Sequence, residues 1–306
     1  VTRRARFVRI DMDALETFAA RLAREPWAGE DLDPAHQYVG EGVDRLSFLI
    51  ALDAINFGSG WFPALRKRDG MSGYRTVAVA CKEKFQAEGP ISGAMLRETT
   101  TEGMADLLGQ DLRDPEVAEL MALYARAWRD LGSWLLEHHG DRFEIAVESA
   151  GHSAAKLVQS LTEMPLYRDV LRYEELEVPF YKRAQITAAD LSRGFGSRGF
   201  GRFDDLDALT LFADNLVPHV LRCEGVLVYA ESLAARIDSE QLLQVGSPEE
   251  VEIRAVAVEA VERLVSALGR LERPTTAWAL DGILWNAGQD PEIKARPRHR
   301  ARCSFY

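Results

Sequence analysis

The chain has 306 residues, of which 47% are hydrophobic, with 37 basic and 48 acidic side chains and a formal net charge of -11. That composition supports a sizeable core and argues against disorder. Its acidity argues against a general nucleic-acid binder, whose phosphate-neutralising face is basic, though not against a local basic pocket.

Cys81, Cys223 and Cys303 are widely spaced and form no CxxC pair or disulfide ladder, which fits a reducing cytoplasm. No run of about 18 apolar residues reads as a membrane span. The N-terminal VTRRARFVRIDMDAL is basic but lacks the apolar centre of a secretory signal. The length fits one or two domains. The expectation is one compact enzyme domain over 1–306, with lobes 1–165 and 166–306 meeting near 165 to 180.

In chain order, FVRI (7–10) alternates like a short strand and 12–24 reads as a helix. DAINFGSGWFP (53–63) sets Asn56, Phe57, Trp61 and Phe62 around a Gly-Ser-Gly turn. Two readings stand: a stacking site for a flat ring with Asn56 reading its polar edge, or a helix C-terminus with a core aromatic cluster. YRTVAVA (74–80) alternates as a strand would. Residues 116–137 place Val117, Leu120, Met121, Tyr124, Trp128, Leu131 and Leu135 on one helical stripe, started by Asp114-Pro115. A further helix is expected over 152–163.

VPFYKRAQI (178–186) puts the adjacent cations Lys182 and Arg183 in an apolar stretch. SRGFGSRGFGRF (192–203) is a glycine-rich loop carrying Arg193, Arg198 and Arg202, either a lid over an anionic ligand or a solvated connection. FDDLDALTLFADNLVPHVLR (203–222) sets Asp214 among Leu209, Leu211, Phe212, Leu216 and Val217. A carboxylate there is costly to bury without partners or a use. Its structural reading is an N-cap or ion pair, with a helix starting near Asp214 or Asn215 ahead of Pro218. Helices are expected over 226–243 and over 249–268, the second with acids at its start and Gly269 at its end. ALDGILWNAG (279–288) puts Asp281 and Trp285 on one face with Asn286 beside them. That suits recognition of a purine-like ring, or a helix packed by Leu280, Ile283 and Leu284 with Asp281 at the surface.

The fold expected is mainly α with few or short β-strands, with no βαβ alternation and no internal repeat. The six histidines form no HExxH or Cys/His set, and neither a GxSxG elbow nor a P-loop occurs. An acid and a cation pair, both in aromatic settings, suggest a site for an anionic, partly aromatic small molecule.

Six blocks, DAINFGSGW (53–61), SGY (72–74), FYKRAQI (180–186), LTLFADNLVPHVL (209–221), EEVEIR (249–254) and ARCSFY (301–306), occur in an order that resembles the queuosine salvage protein family. The resemblance runs from about residue 40 to the last residue. It implies a queuosine 5′-phosphate N-glycosylase (hydrolase) that releases queuine and leaves ribose 5-phosphate. It also implies a helical fold like that of helix-hairpin-helix DNA glycosylases. By that pattern Asp214 is the catalytic acid. Lys182 is the phosphate contact, with Arg183 as its alternative and Tyr181 a further substrate contact of the same block. Asn56, Asp281 and Asn286 are candidates for the base edges, and Phe57, Trp61, Phe212 and Trp285 for stacking. The chain departs from the family pattern at Asn215, where an aromatic often follows the aspartate, and at the Gly-Ser-Gly after Phe57, where the family has bulkier residues.

Such chemistry needs a fixed carboxylate, because the transition state places positive charge on the ribose. It needs neither metal nor redox cofactor. The partner expected is the small nucleotide substrate, with no stable nucleic-acid complex and no membrane. The alternatives are a non-catalytic helical module that holds a nucleotide or an RNA end, and a DNA-repair glycosylase, which the net charge of -11 disfavours.

Overall fold

The computed structural model describes residues 1–27 and 33–306. Helices dominate, and the strands are few and short. The chain divides into two compact units, one formed by Val1–Glu30, Asp169–Lys182 and Asp207–Arg302, the other by Asp31–Arg168, Arg183–Leu206 and Cys303–Tyr306.

Unit 1 is built around the helix Pro248–Arg270. Its start follows the physical rules closely: Ser247 caps it by accepting the Glu250 N–H, Pro248 opens it, and Glu249 and Glu250 sit at the positive end of the helix dipole. Val256, Ala257, Ala260, Val261, Leu264, Ala267 and Leu268 are buried at spacings of three and four. They share one core with Leu15, Phe18, Ala19 and Leu22 of the helix Met12–Leu22, and with Val217, Val220 and Leu221 of the helix Val217–Cys223. Leu280 and Leu284 of the helix Ala277–Ala287 join that core.

Two small antiparallel pairs complete the unit. Val8–Ile10 pairs with Leu227–Tyr229, placing Val8 opposite Tyr229 and Ile10 opposite Leu227. Val170–Tyr173 pairs with Leu176–Pro179 as a hairpin. An acid inside the long helix ties both pairs to it. The Glu252 carboxylate accepts the N–H groups of Arg6 (3.0 Å), Phe7 (2.6 Å) and Val8 (3.1 Å), and the Tyr173 hydroxyl (2.8 Å). Burial, and then this bond to a carboxylate, pushes the Tyr173 hydroxyl up to about 12.

Among the described residues, the regular elements of unit 2 are all helices. Pro115–His139 is its long helix, capped by Asp114 and closed by Gly140 in the left-handed region. Its expected stripe is buried, from Val117 and Leu120 through Leu135. Gly132 permits a close backbone approach, because a Cβ there would lie 2.4 Å from the Gly93 carbonyl oxygen and 2.5 Å from the Arg97 nitrogen. Glycine therefore lets the short helix Gly93–Arg97 seat directly on the long one. The helices Gly42–Asp53, Gly73–Glu88, Thr101–Leu108, Phe143–Glu148 and Ala154–Leu161 complete the unit, together with Arg183 onward of the helix Lys182–Gly194.

The structure differs from the sequence reading in several places. YRTVAVA lies in a helix, not a strand: Ser72 caps it by accepting the Arg75 N–H at 3.2 Å, and Thr76 through Cys81 are all buried, so alternation reflected no solvent face. The helix expected over 226–243 is a strand, Leu227–Tyr229, followed by a helix confined to Glu231–Asp238. Gly225, at φ 74, turns the chain toward a partner strand far back in sequence. The hairpin 170–179 was not foreseen, and the helix after Asp214 starts at Val217. Among the described residues, no helix is long and apolar enough to cross a membrane.

Replacing Glu252 with Ala strands the N–H groups of residues 6 to 8 and the Tyr173 hydroxyl. The variant is expected to lose about 3 kcal/mol of stability, read as a lowered urea midpoint.

Candidate functional site

In unit 1 the segment around Asp214 is held at every residue from Phe212 to Asn215. The Phe212 N–H donates to Asp281 Oδ1 at 3.1 Å. The Ala213 carbonyl accepts Arg254 Nε at 2.9 Å. Asp214 Oδ1 accepts the N–H groups of Leu216 (2.7 Å) and Val217 (3.1 Å). Asn215 Nδ2 donates to the His299 carbonyl at 3.3 Å. The Asp214 side chain thus makes an Asx-type turn leading into the helix Val217–Cys223. Both bonds use Oδ1, and Oδ2 has no hydrogen-bond partner among the described residues. Half-buried in this frame, Asp214 has a fixed orientation and one carboxylate oxygen uncommitted to the protein.

The second charged segment of unit 1 is fixed from Asp169. Its carbonyl accepts the N–H groups of Phe180 (2.8 Å) and Tyr181 (3.2 Å), and its Oδ2 accepts that of Lys182 at 3.3 Å. Tyr181 is held at φ 47, a left-handed conformation unusual for an aromatic residue and stored only where neighbours over-determine it. Lys182, at the start of the helix Lys182–Gly194, is 5% exposed. Asp281 is also buried, so the reading that put it at the surface does not hold; Trp285 is half-buried and Asn286 exposed on the same helix.

Basic groups gather behind Asp214. Burial holds the Arg298 guanidinium below its ordinary value, and the Asp214 charge opposes that shift. Burial, and after it the Arg254 charge, lowers the His299 imidazole to about 3, so it is neutral. His219 is lowered too, chiefly by burial, and its Nε2 lies 2.9 Å from the Ile293 carbonyl oxygen.

Unit 2 carries the remaining candidates, and their side chains are largely committed to the fold. Phe57 and Trp61 are each 2% exposed. Phe57 packs edge-on to Tyr124, whose hydroxyl donates to the Phe57 carbonyl at 2.6 Å. Trp61 Nε1 donates to Glu119 at 2.8 Å. Arg183 lies between the rings of Phe57 and Tyr167, each 4.6 Å away, and donates to the carbonyls of Ala54 and Leu166. Of the adjacent cations, Arg183 is therefore a structural group of unit 2. Asn56 is half-buried beside this cluster.

In the glycine-rich stretch, Arg193 pairs with Asp190 and Arg202 with Asp204, while Arg198 is exposed. Phe195, Phe200 and Phe203 line a cavity of about 540 Å³ with Val147, Glu148, His152 and Arg202; neither Asp214 nor Lys182 lines it. Among the described residues, no group of three or more His, Cys, Asp or Glu is placed to hold a metal ion.

Sequence reasoning missed Asp169, Arg254, His299 and Arg298. Arg254 stood inside a quoted block, EEVEIR, but nothing local signals what a buried side chain reaches.

The sequence model of the family described as queuosine salvage protein matches residues 36–306. A protein of Sphaerobacter thermophilus named queuosine 5′-phosphate N-glycosylase/hydrolase is 36% identical, over 100% of this chain and 95% of its own. Proteins of the same name from Mus musculus (30% identical, 100% of this chain and 96% of theirs) and Dictyostelium discoideum (31%, 96% and 90%) are similar along nearly the same span.

Protonation of His299 gives a test of the packing behind Asp214. In the unfolded chain the imidazole takes a proton near 6.5, in the fold only near 3. As pH falls, the unfolded state binds the proton first, so stability declines between those values, by up to about 1.4 kcal/mol per pH unit. His299→Gln is expected to flatten that part of a urea-midpoint profile against pH.

Proposed function

Because the chain belongs to the queuosine salvage protein family, we propose that it hydrolyses the N-glycosidic bond of queuosine 5′-phosphate, releasing queuine and leaving ribose 5-phosphate. The observation that carries this reading is the likeness along the whole chain to relatives bearing that name. Residues 1–306 act as one enzyme domain, on a helical scaffold of the helix-hairpin-helix glycosylase kind. The partner is the small nucleotide, met in the cytoplasm without a stable nucleic-acid complex.

Asp214 is the catalytic carboxylate. As the bond to the base lengthens, positive charge grows on C1′ and O4′ of the ribose. A carboxylate whose orientation is set beforehand stabilises that charge without reorganising at the moment of reaction. The Oδ1 bonds to Leu216 and Val217 supply the orientation, and Oδ2 is the atom available to the sugar or to the attacking water. A 7-deazapurine carries carbon in place of N7, so the leaving base cannot be protonated there, and more of the barrier falls to the carboxylate.

Lys182 takes the 5′-phosphate through a charge-assisted hydrogen bond. That group is remote from the reacting bond, so its binding energy serves orientation. Tyr181 flanks it. Phe212 and Trp285 supply apolar surface toward the base, and Asn286 a polar edge. Asp281 acts on the same segment by holding the Phe212 N–H.

The first experiment incubates the purified chain with queuosine 5′-monophosphate and follows released queuine by chromatography. Asp214→Asn keeps an oxygen for the Leu216 and Val217 N–H groups, so its stability should stay within about 1 kcal/mol of wild type. Its turnover should fall by at least about a hundredfold. Near wild-type release by that variant would instead remove Asp214 from the chemistry, and no release by wild type would favour a non-catalytic module that holds a nucleotide or an RNA end. In the companion measurement, Lys182→Ala is expected to lose roughly 10- to 100-fold in kcat/KM for the nucleotide while changing little toward free queuosine.

A further inference from the structure

Arg254 is fully buried, yet three of its atoms reach two separate segments that carry the proposed chemistry. Nε donates to the Ala213 carbonyl at 2.9 Å, one peptide before Asp214. Nη1 and Nη2 grip Asp169 at 3.0 and 2.5 Å, and Nη1 also lies 3.5 Å from Glu250. Asp169 in turn accepts the Lys182 N–H through the same Oδ2, and its carbonyl holds Phe180 and Tyr181. The guanidinium also lies 3.9 Å from the centre of the Phe180 ring.

A buried ion pair of this kind is a poor way to gain stability, since apolar residues of similar size often serve as well. What it gives is geometry. A planar fork with fixed donor directions sets two loops at once, which neither a lysine nor an apolar side chain does.

We propose that Arg254 is a positioning residue for the hydrolysis, fixing Asp214 and Lys182 in one register by clamping the Ala213 peptide and, through Asp169, the start of the helix Lys182–Gly194. The assignment rests on the function proposed above. It states that the acid and the phosphate contact are not placed independently: a single side chain sets both, so that a nucleotide held by its phosphate arrives with C1′ at the carboxylate. Glu250 supports the fork from below, its other oxygen accepting the Gly246 N–H at 2.8 Å.

The test compares wild type with Arg254→Lys, which keeps the charge but loses the fork. Two constants are measured: kcat with queuosine 5′-monophosphate, and the inhibition constant of ribose 5-phosphate, which does not depend on the fraction of folded enzyme. The expected result is a fall in kcat of about a hundredfold, the cost of misplacing a reacting group by about an ångström. The inhibition constant should rise by about tenfold as Lys182 shifts. Asp169→Asn attacks the clamp from its other end at nearly constant size and should move both constants the same way. If Arg254→Lys lowers the melting temperature but leaves both constants unchanged, or moves only one, the residue is structural and the proposal is overturned. Wild type that releases no queuine overturns the functional reading, and the proposal with it.

Discussion

Arg254 donates to a loop carbonyl and to Asp169 from inside the core of unit 1, and burying that charge obliges the chain around it to supply acceptors in fixed places. Much of the unit follows from this demand. Asp169 must lie beside the long helix, so the hairpin that follows it packs there. The segment 211–216 must present a carbonyl inward, so it runs as an irregular stretch rather than a helix. Glu250 and Glu252 extend the same logic earlier in the helix, each a buried acid with one oxygen on backbone N–H groups and the other on a side chain, Arg254 and Tyr173 respectively. Three charged residues at alternate positions of EEVEIR thus organise the N-terminal strand, the hairpin and the Asp214 segment from one stretch of helix.

As the proposed catalytic carboxylate, Asp214 joins two requirements that normally conflict. A catalytic carboxylate should be little solvated by protein, so that its charge acts on the substrate, yet its direction must be fixed. Splitting the two oxygens resolves this. One is consumed by the turn into Val217–Cys223, and the other carries no hydrogen bond among the described residues. The peptides on either side are held by different side chains, Asp281 and Arg254 before it and Asn215 after it, so no single thermal opening frees the acid.

The long helices were legible because their stripes of three and four match their burial residue by residue, as in Val117 to Leu135. Asp214 and Lys182 stood out as charges in apolar stretches, and the structure does enclose both, Lys182 fully and Asp214 in part. Leu227–Tyr229 was not, because its strand state depends on Val8–Ile10, more than two hundred positions away, and its apolar run suits a helix equally well. The 74–80 alternation misled because both faces of that helix are buried. The aromatic cluster at 53–63 admitted two readings, and only the contacts of Trp61 with Glu119 and of Phe57 with Tyr124 and Arg183 reveal how much of it serves packing. Asp169 gave no signal at all: its importance lies wholly in a partner 85 residues downstream.

Neither unit is a continuous piece of chain, and this bears on synthesis. The strand Val8–Ile10 is made more than two hundred residues before its partner Leu227–Tyr229 and the helix carrying Glu252. Until then the strand edge and the apolar face of Met12–Leu22 have nothing native to cover them. Unit 2 has most of its helices, from Gly42 through Leu161, in one run and can gather them earlier. The nascent chain therefore carries an amphipathic segment uncovered while the two hundred or so intervening residues are made, an interval in which chaperone binding there would raise the yield of folded protein.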